Sequence, residues 1–130
     1  MSKYAKHTHG DVCPGCEDRL KEGHKDIVSA YRFARSRHSD FHLSWVYRGE
    51  EDQEKARSEG ASLAKFGQSK HNLNPSEAMD GFQIDENGTA VFDPQFCRKL
   101  NEEFKEAGFN LRWGGNFNKI GDYCHWELNS

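Results

Sequence analysis

The sequence predicts an α+β fold in which two or three helices pack against a small, mainly antiparallel sheet. Its segments come in the order helix, strand, helix, hairpin, helix, strand, and no repeated strand-helix-strand unit calls for a parallel sheet. The 130 residues include nine Phe and three Trp. This length fits one domain, and the large rings are sufficient for a core.

The first half of the chain predicts two helices and a strand. Apolar positions recur at helical spacing, with an interruption at Gly23, which indicates a short turn and then a helix over residues 24–37. The period of a half-buried strand is visible at residues 41–47, where Phe41, Leu43, Trp45 and Tyr47 alternate with His42, Ser44 and Val46, and this strand ends at Arg48. Helix-forming residues over 50–60, closed by a glycine, predict a second, solvent-covered helix.

The second half predicts a hairpin, a helix and the closing strands. Asn87-Gly88 is a strong hairpin signal between strands at residues 79–84 and 89–92. Asp93 as the N-cap and Pro94 at the first helical position predict a helix that stops at Gly108. Two further strands are predicted at 111–113 and 123–128.

Composition excludes several classes of function. The formal net charge of −3 gives no basic face for a nucleic acid. No run approaches the roughly 20 apolar residues of a membrane span, and the first residues lack the apolar core of a signal peptide. Four cysteines, at positions 13, 16, 97 and 124, do not make a dense disulfide framework and are interpreted as reduced thiols.

The amino-terminal segment contains a possible metal-binding pattern. His7-Thr8-His9 precedes Cys13-Pro14-Gly15-Cys16, and together they can supply structural metal ligands. A zinc ribbon needs a second cysteine pair, however, and a redox Cys-x-x-Cys needs a preceding buried strand. We therefore predict a lead-in over residues 1–16, flexible or holding a minor metal site, and the main domain over residues 17–130.

A second pattern of ligand residues lies farther along the chain. His71 and Asp80 are nine residues apart across a turn, and Asp122 precedes His125 by three residues near the carboxyl end. Each has an ordinary interpretation as a core or surface residue when taken alone. Two histidines and one aspartate together, however, make a three-ligand zinc site with one coordination position left for water.

The motifs around these residues resemble a known family over about Arg19 to Leu128. They are Ser-x-His followed by Ala-x-Asp, an upstream Tyr-Arg with Gln five residues later, and Trp-Gly-Gly before Asp-x-x-His-x-Glu. In this order they resemble the zinc D-Ala-D-Ala carboxypeptidase and L-alanyl-D-glutamate peptidase family, which includes bacterial cell-wall enzymes and bacteriophage endolysins. The loop over residues 72–77 is longer than in many members, and Cys124 stands where proline is common.

The resemblance implies a role for each matching residue. It makes His71, Asp80 and His125 the ligands of one catalytic Zn²⁺ on the sheet face, and Asp122 the catalytic carboxylate. Arg48 would polarise the scissile carbonyl or hold substrate. Three residues would help build the pocket: Ser69, Gln53 and Trp113. Glu127 shares the strand face of His125, so it either orients that ligand or forms an ion pair at the sheet edge.

The resemblance also implies a function. The expected protein is a monomeric phage endolysin that cleaves the L-alanyl-D-glutamate bond of peptidoglycan stem peptides and stays in the host cytoplasm until its release to the wall. Within enzymes the alternative is a D-Ala-D-Ala carboxypeptidase. From another class, the alternative is a catalytically silent zinc-binding module, because the Hedgehog signalling domain shares this site architecture.

Overall fold

A computed structural model of the chain describes residues 6–8, 12–60, 65–116 and 123–129. Within these ranges it contains four α-helices and five strands, which confirms the α+β prediction. The helices are α1 (Pro14–Leu20), α2 (Lys25–Arg37), α3 (Glu50–Ser58) and α4 (Pro94–Glu106). The strands are β1 (Phe41–Trp45), β2 (Ala78–Ile84), β3 (Ala90–Val91), β4 (Leu111–Trp113) and β5 (His125–Leu128), with 3₁₀ turns at Lys70–Asn72 and Gly114–Asn116.

The five strands form one antiparallel sheet in the order β1-β2-β5-β4, and β3 pairs with the end of β2. In the pairing of β2 with β5, Asp80 lies opposite His125 and Met79 lies opposite Trp126. Because paired residues in an antiparallel sheet share a face, Asp80 and His125 point to one side and Met79 and Trp126 to the other.

The side that carries Trp126 is the core of the molecule. Trp126 is fully buried, and its ring meets Phe104 of α4 at 5.6 Å and Phe41 of β1 at 6.2 Å between centroids, both edge to face. Ile27 of α2 is fully buried in the same cluster. Helices α2 and α4 therefore cover one face of the sheet and leave the Asp80 face to the loops.

The ends of α4 and the turn at Gly88 lie where short sequence patterns predicted them. The Asp93 carboxylate accepts a hydrogen bond from Gln95 N at 3.0 Å and caps α4, while Gly108 beyond its end has a φ of +87°. Gly88 in the predicted hairpin has a φ of +80°, a conformation that glycine adopts without strain. Along the described parts of the chain, no helix is both long and apolar enough to cross a membrane.

Helix α1 was not predicted. The sequence indicated only a turn before residue 24, and the predicted division between residues 16 and 17 falls inside α1. Cys13, Cys16 and Leu20 are all buried in the core cluster. This packing stabilises a seven-residue helix, which is too short to be stable through propensity alone.

The alternation predicted for β1 also fails on one side. His42 was placed on the polar, outward face of the strand, yet it is fully buried, as are Phe41 and Leu43. Strand β1 is an edge strand, and α1 lies along it: Leu43 N donates to Cys16 Sγ at 3.3 Å, and Arg19 Nε donates to Ser44 O at 3.0 Å. The amino-terminal segment therefore covers backbone groups that an open edge would expose.

Candidate metal centre

Three separate elements bring a histidine, an aspartate and a second histidine together. His71 comes from the 3₁₀ turn, Asp80 from β2 and His125 from β5. His71 Nε2 lies 3.1 Å from Asp80 Oδ1 and 3.2 Å from His125 Nδ1, and His125 Nδ1 lies 2.8 Å from Asp80 Oδ1. Both imidazoles are buried, and the three atoms form a compact triangle.

The turn that carries His71 is held at both of its ends. Ser69 Oγ accepts from His71 N at 3.2 Å, and Asn72 Oδ1 accepts from Ser69 N at 3.2 Å, which is a capping box. Arg48 N donates to His71 O at 2.8 Å. Ser69 thus caps the turn, and Asn72, which sequence reasoning did not single out, completes the cap.

In each histidine, the ring nitrogen that points away from Asp80, here called the outer nitrogen, makes a hydrogen bond that fixes the tautomer. His71 Nδ1 lies 2.8 Å from Val46 O, and His125 Nε2 lies 2.8 Å from Glu127 Oε1. Carbonyl and carboxylate oxygens only accept, so both outer nitrogens carry the hydrogen. In neutral rings, His71 Nε2 and His125 Nδ1 are then lone-pair donors facing each other and Asp80 Oδ1. A metal cation between the three atoms would accept a lone pair from each of them, as zinc does from two imidazoles and a carboxylate.

Both carboxyl groups of the cluster are held in the ionised form. Burial alone would raise the pKa of Asp80, but His71 and His125 outweigh burial and hold this pKa well below its usual range. Burial likewise opposes ionisation of Glu127, whereas its hydrogen bond with His125 and the charges of Lys70 and Arg112 lower its pKa. Asp80 and Glu127 are therefore anionic groups beside the two histidines, and a carboxylate is a ligand that zinc accepts together with imidazole.

The distances fit a tetrahedral zinc site. Nitrogen and oxygen ligands at about 2.0–2.1 Å from a tetrahedral zinc lie about 3.3–3.4 Å from each other. The two separations from His71 Nε2, 3.1 and 3.2 Å, lie within about 0.3 Å of this spacing, and the 2.8 Å between His125 Nδ1 and Asp80 Oδ1 is about 0.5 Å shorter. Three protein donors leave one position open, as catalytic zinc sites do.

Arg48 lies beside this cluster and contacts Asp80. Its Nη2 is 3.4 Å from Asp80 Oδ2, the oxygen that does not face the histidines, and its Nη1 is 3.3 Å from Gln53 Oε1. Its guanidinium also lies 4.9 Å from the centroid of the Trp45 ring. Gln53 Oε1 accepts a second hydrogen bond, from Asn72 Nδ2 at 3.2 Å. This network fixes the orientation of Asp80.

Trp113 lies on β4 and is nearly fully buried. Its Nε1 donates to Tyr123 O at 2.7 Å, two residues before His125. A Cβ added at Gly115 would lie 2.4 Å from the Trp113 ring, so the Trp-Gly-Gly sequence lets the ring lie flat on the backbone. Asp122, the expected catalytic carboxylate, lies outside the described residues.

Comparison with known proteins shows similarity to a solved structure. No family model matches the chain, and no curated protein matches its sequence. A crystal structure of the Serratia marcescens L-Ala D-Glu endopeptidase ChiX superimposes with a TM-score of 0.70 at 22% identity, over 88% of this chain and 86% of that one. The two chains share a fold.

Proposed function

We propose that the protein is a zinc peptidase that hydrolyses an amide bond in peptidoglycan stem peptides. The observation that carries this proposal is the convergence of His71 Nε2, Asp80 Oδ1 and His125 Nδ1, with both rings held so that their lone pairs face one point. The fold gives further support, because it is shared with a protein described as an L-Ala D-Glu endopeptidase.

In this proposal His71, Asp80 and His125 hold the metal. A zinc ion bound there supplies Lewis-acid polarisation of a carbonyl and activation of water. Val46 O and Glu127 keep the two imidazoles in the ligating tautomers. Arg48 orients Asp80 through Oδ2, and its guanidinium places a positive charge beside the site, which is suited to stabilise negative charge on a substrate carbonyl.

Asp122 is assigned as the general base on the strength of the Asp-x-x-His spacing and the family resemblance. A carboxylate in this role accepts a proton from the attacking water and then donates it to the leaving amine. Ser69, Gln53 and Trp113 support the site in this scheme. Ser69 and Gln53 position the His71 turn and Arg48, and Trp113 positions the start of β5.

The specific activity we propose is cleavage of the L-alanyl-D-glutamate bond by a monomeric phage endolysin. Such an enzyme acts on the wall after its release from the host cytoplasm. This finer assignment rests on the motif resemblance together with the fold shared with an endopeptidase. Release of terminal D-Ala, or zinc binding without any hydrolysis, would instead assign the chain to one of the two alternatives.

The test is digestion of purified peptidoglycan by the zinc-loaded protein, with mass spectrometry of the muropeptides. New peptides that begin with D-Glu are expected, and they should be absent with His71→Ala. His38→Ala is the matched control, because His38 also contacts a carboxylate, that of Glu103 at 2.6 Å, but lies between α2 and α4. A zinc-loaded protein that releases neither D-Glu peptides nor D-Ala would refute the proposal.

A further inference from the structure

A second cluster of metal-ligating side chains lies at the outer edge of β1. His7 of the lead-in, Cys13 and Cys16 at the start of α1 and His42 of β1 each offer one atom, and all four atoms lie within 4.8 Å of one another. Cys13, Cys16 and His42 are fully or almost fully buried, His7 is half-buried, and neither thiol is in a disulfide. None of the four belongs to the His71 site.

The cluster has the dimensions of a tetrahedral zinc site. With zinc–sulfur bonds of about 2.3 Å and zinc–nitrogen bonds of about 2.0–2.1 Å, each sulfur lies about 3.5–3.6 Å from each nitrogen. Cys13 Sγ is 3.3 Å from His7 Nδ1 and 3.4 Å from His42 Nδ1. Cys16 Sγ is 3.5 and 3.7 Å from the same two atoms. All four sulfur–nitrogen edges therefore match within about 0.3 Å.

Hydrogen bonding between these side chains cannot explain all four contacts. Arg35 Nη1, which only donates, lies 3.4 Å from His42 Nδ1, so an unprotonated Nδ1 suits this neighbour; the shorter bond of Arg35 Nη1, at 2.9 Å, goes to Phe41 O, which leaves the Nδ1 lone pair to a metal ion. If His7 Nδ1 also accepts, the two thiol hydrogens serve at most two of the four contacts. A single cation in the centre satisfies all four donor atoms at once.

The surroundings of the two sulfurs also suit thiolate ligands. Thr8 N donates to Cys13 Sγ at 3.4 Å, and Leu43 N donates to Cys16 Sγ at 3.3 Å. Such outer hydrogen bonds orient and stabilise metal ligands. Arg35 also donates to Phe41 O at 2.9 Å. Two thiolates with one Zn²⁺ carry no net charge, so a neighbouring guanidinium does not oppose the metal.

We propose that His7, Cys13, Cys16 and His42 bind a structural zinc ion. Four protein ligands close the coordination shell, in contrast to the three donors of the His71 site. Binding replaces the two thiol hydrogens, which leave as protons, with two zinc–sulfur bonds. The ion would link the lead-in and α1 to β1, which pairs with β2, the strand that contains Asp80. This inference does not depend on the proposed function.

Metal content and cobalt spectroscopy test the proposal. Cys13→Ser should lose about one zinc per chain relative to the wild-type protein. After substitution with Co²⁺, the wild-type protein and His71→Ala should show an intense near-ultraviolet sulfur-to-cobalt charge-transfer band, and in Cys13→Ser, which keeps only the Cys16 sulfur, this band should be weakened or absent. The His71 site has no sulfur ligand and cannot produce this band, so the spectrum separates the two sites. Cys97→Ser, which also alters a buried thiol, is the matched control and should keep both the zinc and the band.

A second variant covers the case in which Cys13→Ser does not fold. His7→Ala changes a half-buried residue and leaves three ligands, so it should release this zinc at a lower chelator concentration than the wild-type protein does. Unchanged zinc retention in His7→Ala would overturn the proposal. A missing charge-transfer band in the wild-type protein would also overturn it, as would a Cys13–Cys16 disulfide in the freshly purified protein.

Discussion

Glu127→Gln tests how His125, which we propose as a metal ligand, is held. Glu127 Oε1 accepts from His125 Nε2 at 2.8 Å, while Lys70 and Arg112 lie 3.7 and 3.9 Å from Oε2. Glutamine preserves the size of the side chain but removes its charge. Its amide can also present N–H to the ring, so His125 is no longer confined to the tautomer whose Nδ1 faces Asp80.

The expected effect is a loss of zinc affinity rather than a loss of fold. Removing an outer partner of a metal ligand typically weakens binding about 10- to 100-fold. At about 1.4 kcal/mol per tenfold change, this range corresponds to about 1.4–2.7 kcal/mol. Glu127 is only 8% exposed, so solvent does little to replace the lost hydrogen bond and the effect should fall within this range.

The assay is competition for zinc with a chromophoric chelator at constant pH, and Glu103→Gln is the matched control. Glu103 Oε1 contacts His38 Nε2 at 2.6 Å and Oε2 lies 3.5 Å from Arg37, so the control removes the same charge from a similar histidine–glutamate pair. Zinc bound at any other site contributes equally to the titrations of the wild-type protein, Glu127→Gln and Glu103→Gln. Equal affinities for the wild-type protein, Glu127→Gln and Glu103→Gln would refute the assignment of His125 as a ligand held by Glu127.

Three further changes have defined outcomes. Asp122→Asn should keep its zinc and lose wall lysis by about 10²- to 10⁴-fold, and equal zinc with undiminished lysis would show that another group is the base. Gly81→Ala should lower the free energy of unfolding in urea by about 1–3 kcal/mol, because the new Cβ would lie 2.3 Å from Phe41 Cζ. Burial opposes ionisation of Glu103, but His38 and Arg37 lower its pKa in the folded protein. The ionised carboxylate therefore stabilises the fold fully above the pKa of glutamate in the unfolded chain, about 4.3, and this stabilisation is lost as the pH falls through the folded pKa. The difference in unfolding free energy between the wild-type protein and Glu103→Gln should therefore shrink below about pH 4, and a constant difference would contradict this pKa shift.

Signals within one element predicted much of the fold. The N-cap Asp93, the glycine after α4 and the Asn-Gly turn act over a few residues, and the structure contains the predicted elements at these places. Strand alternation correctly placed His125 and Glu127 on one face of β5, with Trp126 on the other. Sequence alone does not give the pairing register, and this register sets Asp80 directly opposite His125.

Roles that depend on contacts between distant segments were harder to predict. The motif implied that Ser69 and Gln53 help build the pocket, and the structure gives the contacts of Ser69 with the His71 turn and of Gln53 with Arg48. His71 is oriented by Val46 O, a backbone carbonyl oxygen. Every residue has such an oxygen, so the identity of residue 46 does not reveal this role. Asn72 was not singled out from the sequence, and in the structure it both caps its own turn and bonds Gln53, 19 positions earlier.

His42 shows most clearly why alternation is insufficient at an edge strand. Period-two patterning assigns a polar residue to the solvent face, but it assumes that nothing covers that face. Here α1 and the lead-in cover the edge of β1, so the polar side chain is buried against Cys13 and Cys16. A buried imidazole is costly unless its nitrogens are satisfied. An incomplete set of metal ligands at one end of a chain, such as His7 with a Cys-x-x-Cys, is therefore a reason to look for the missing ligand on the polar face of an edge strand.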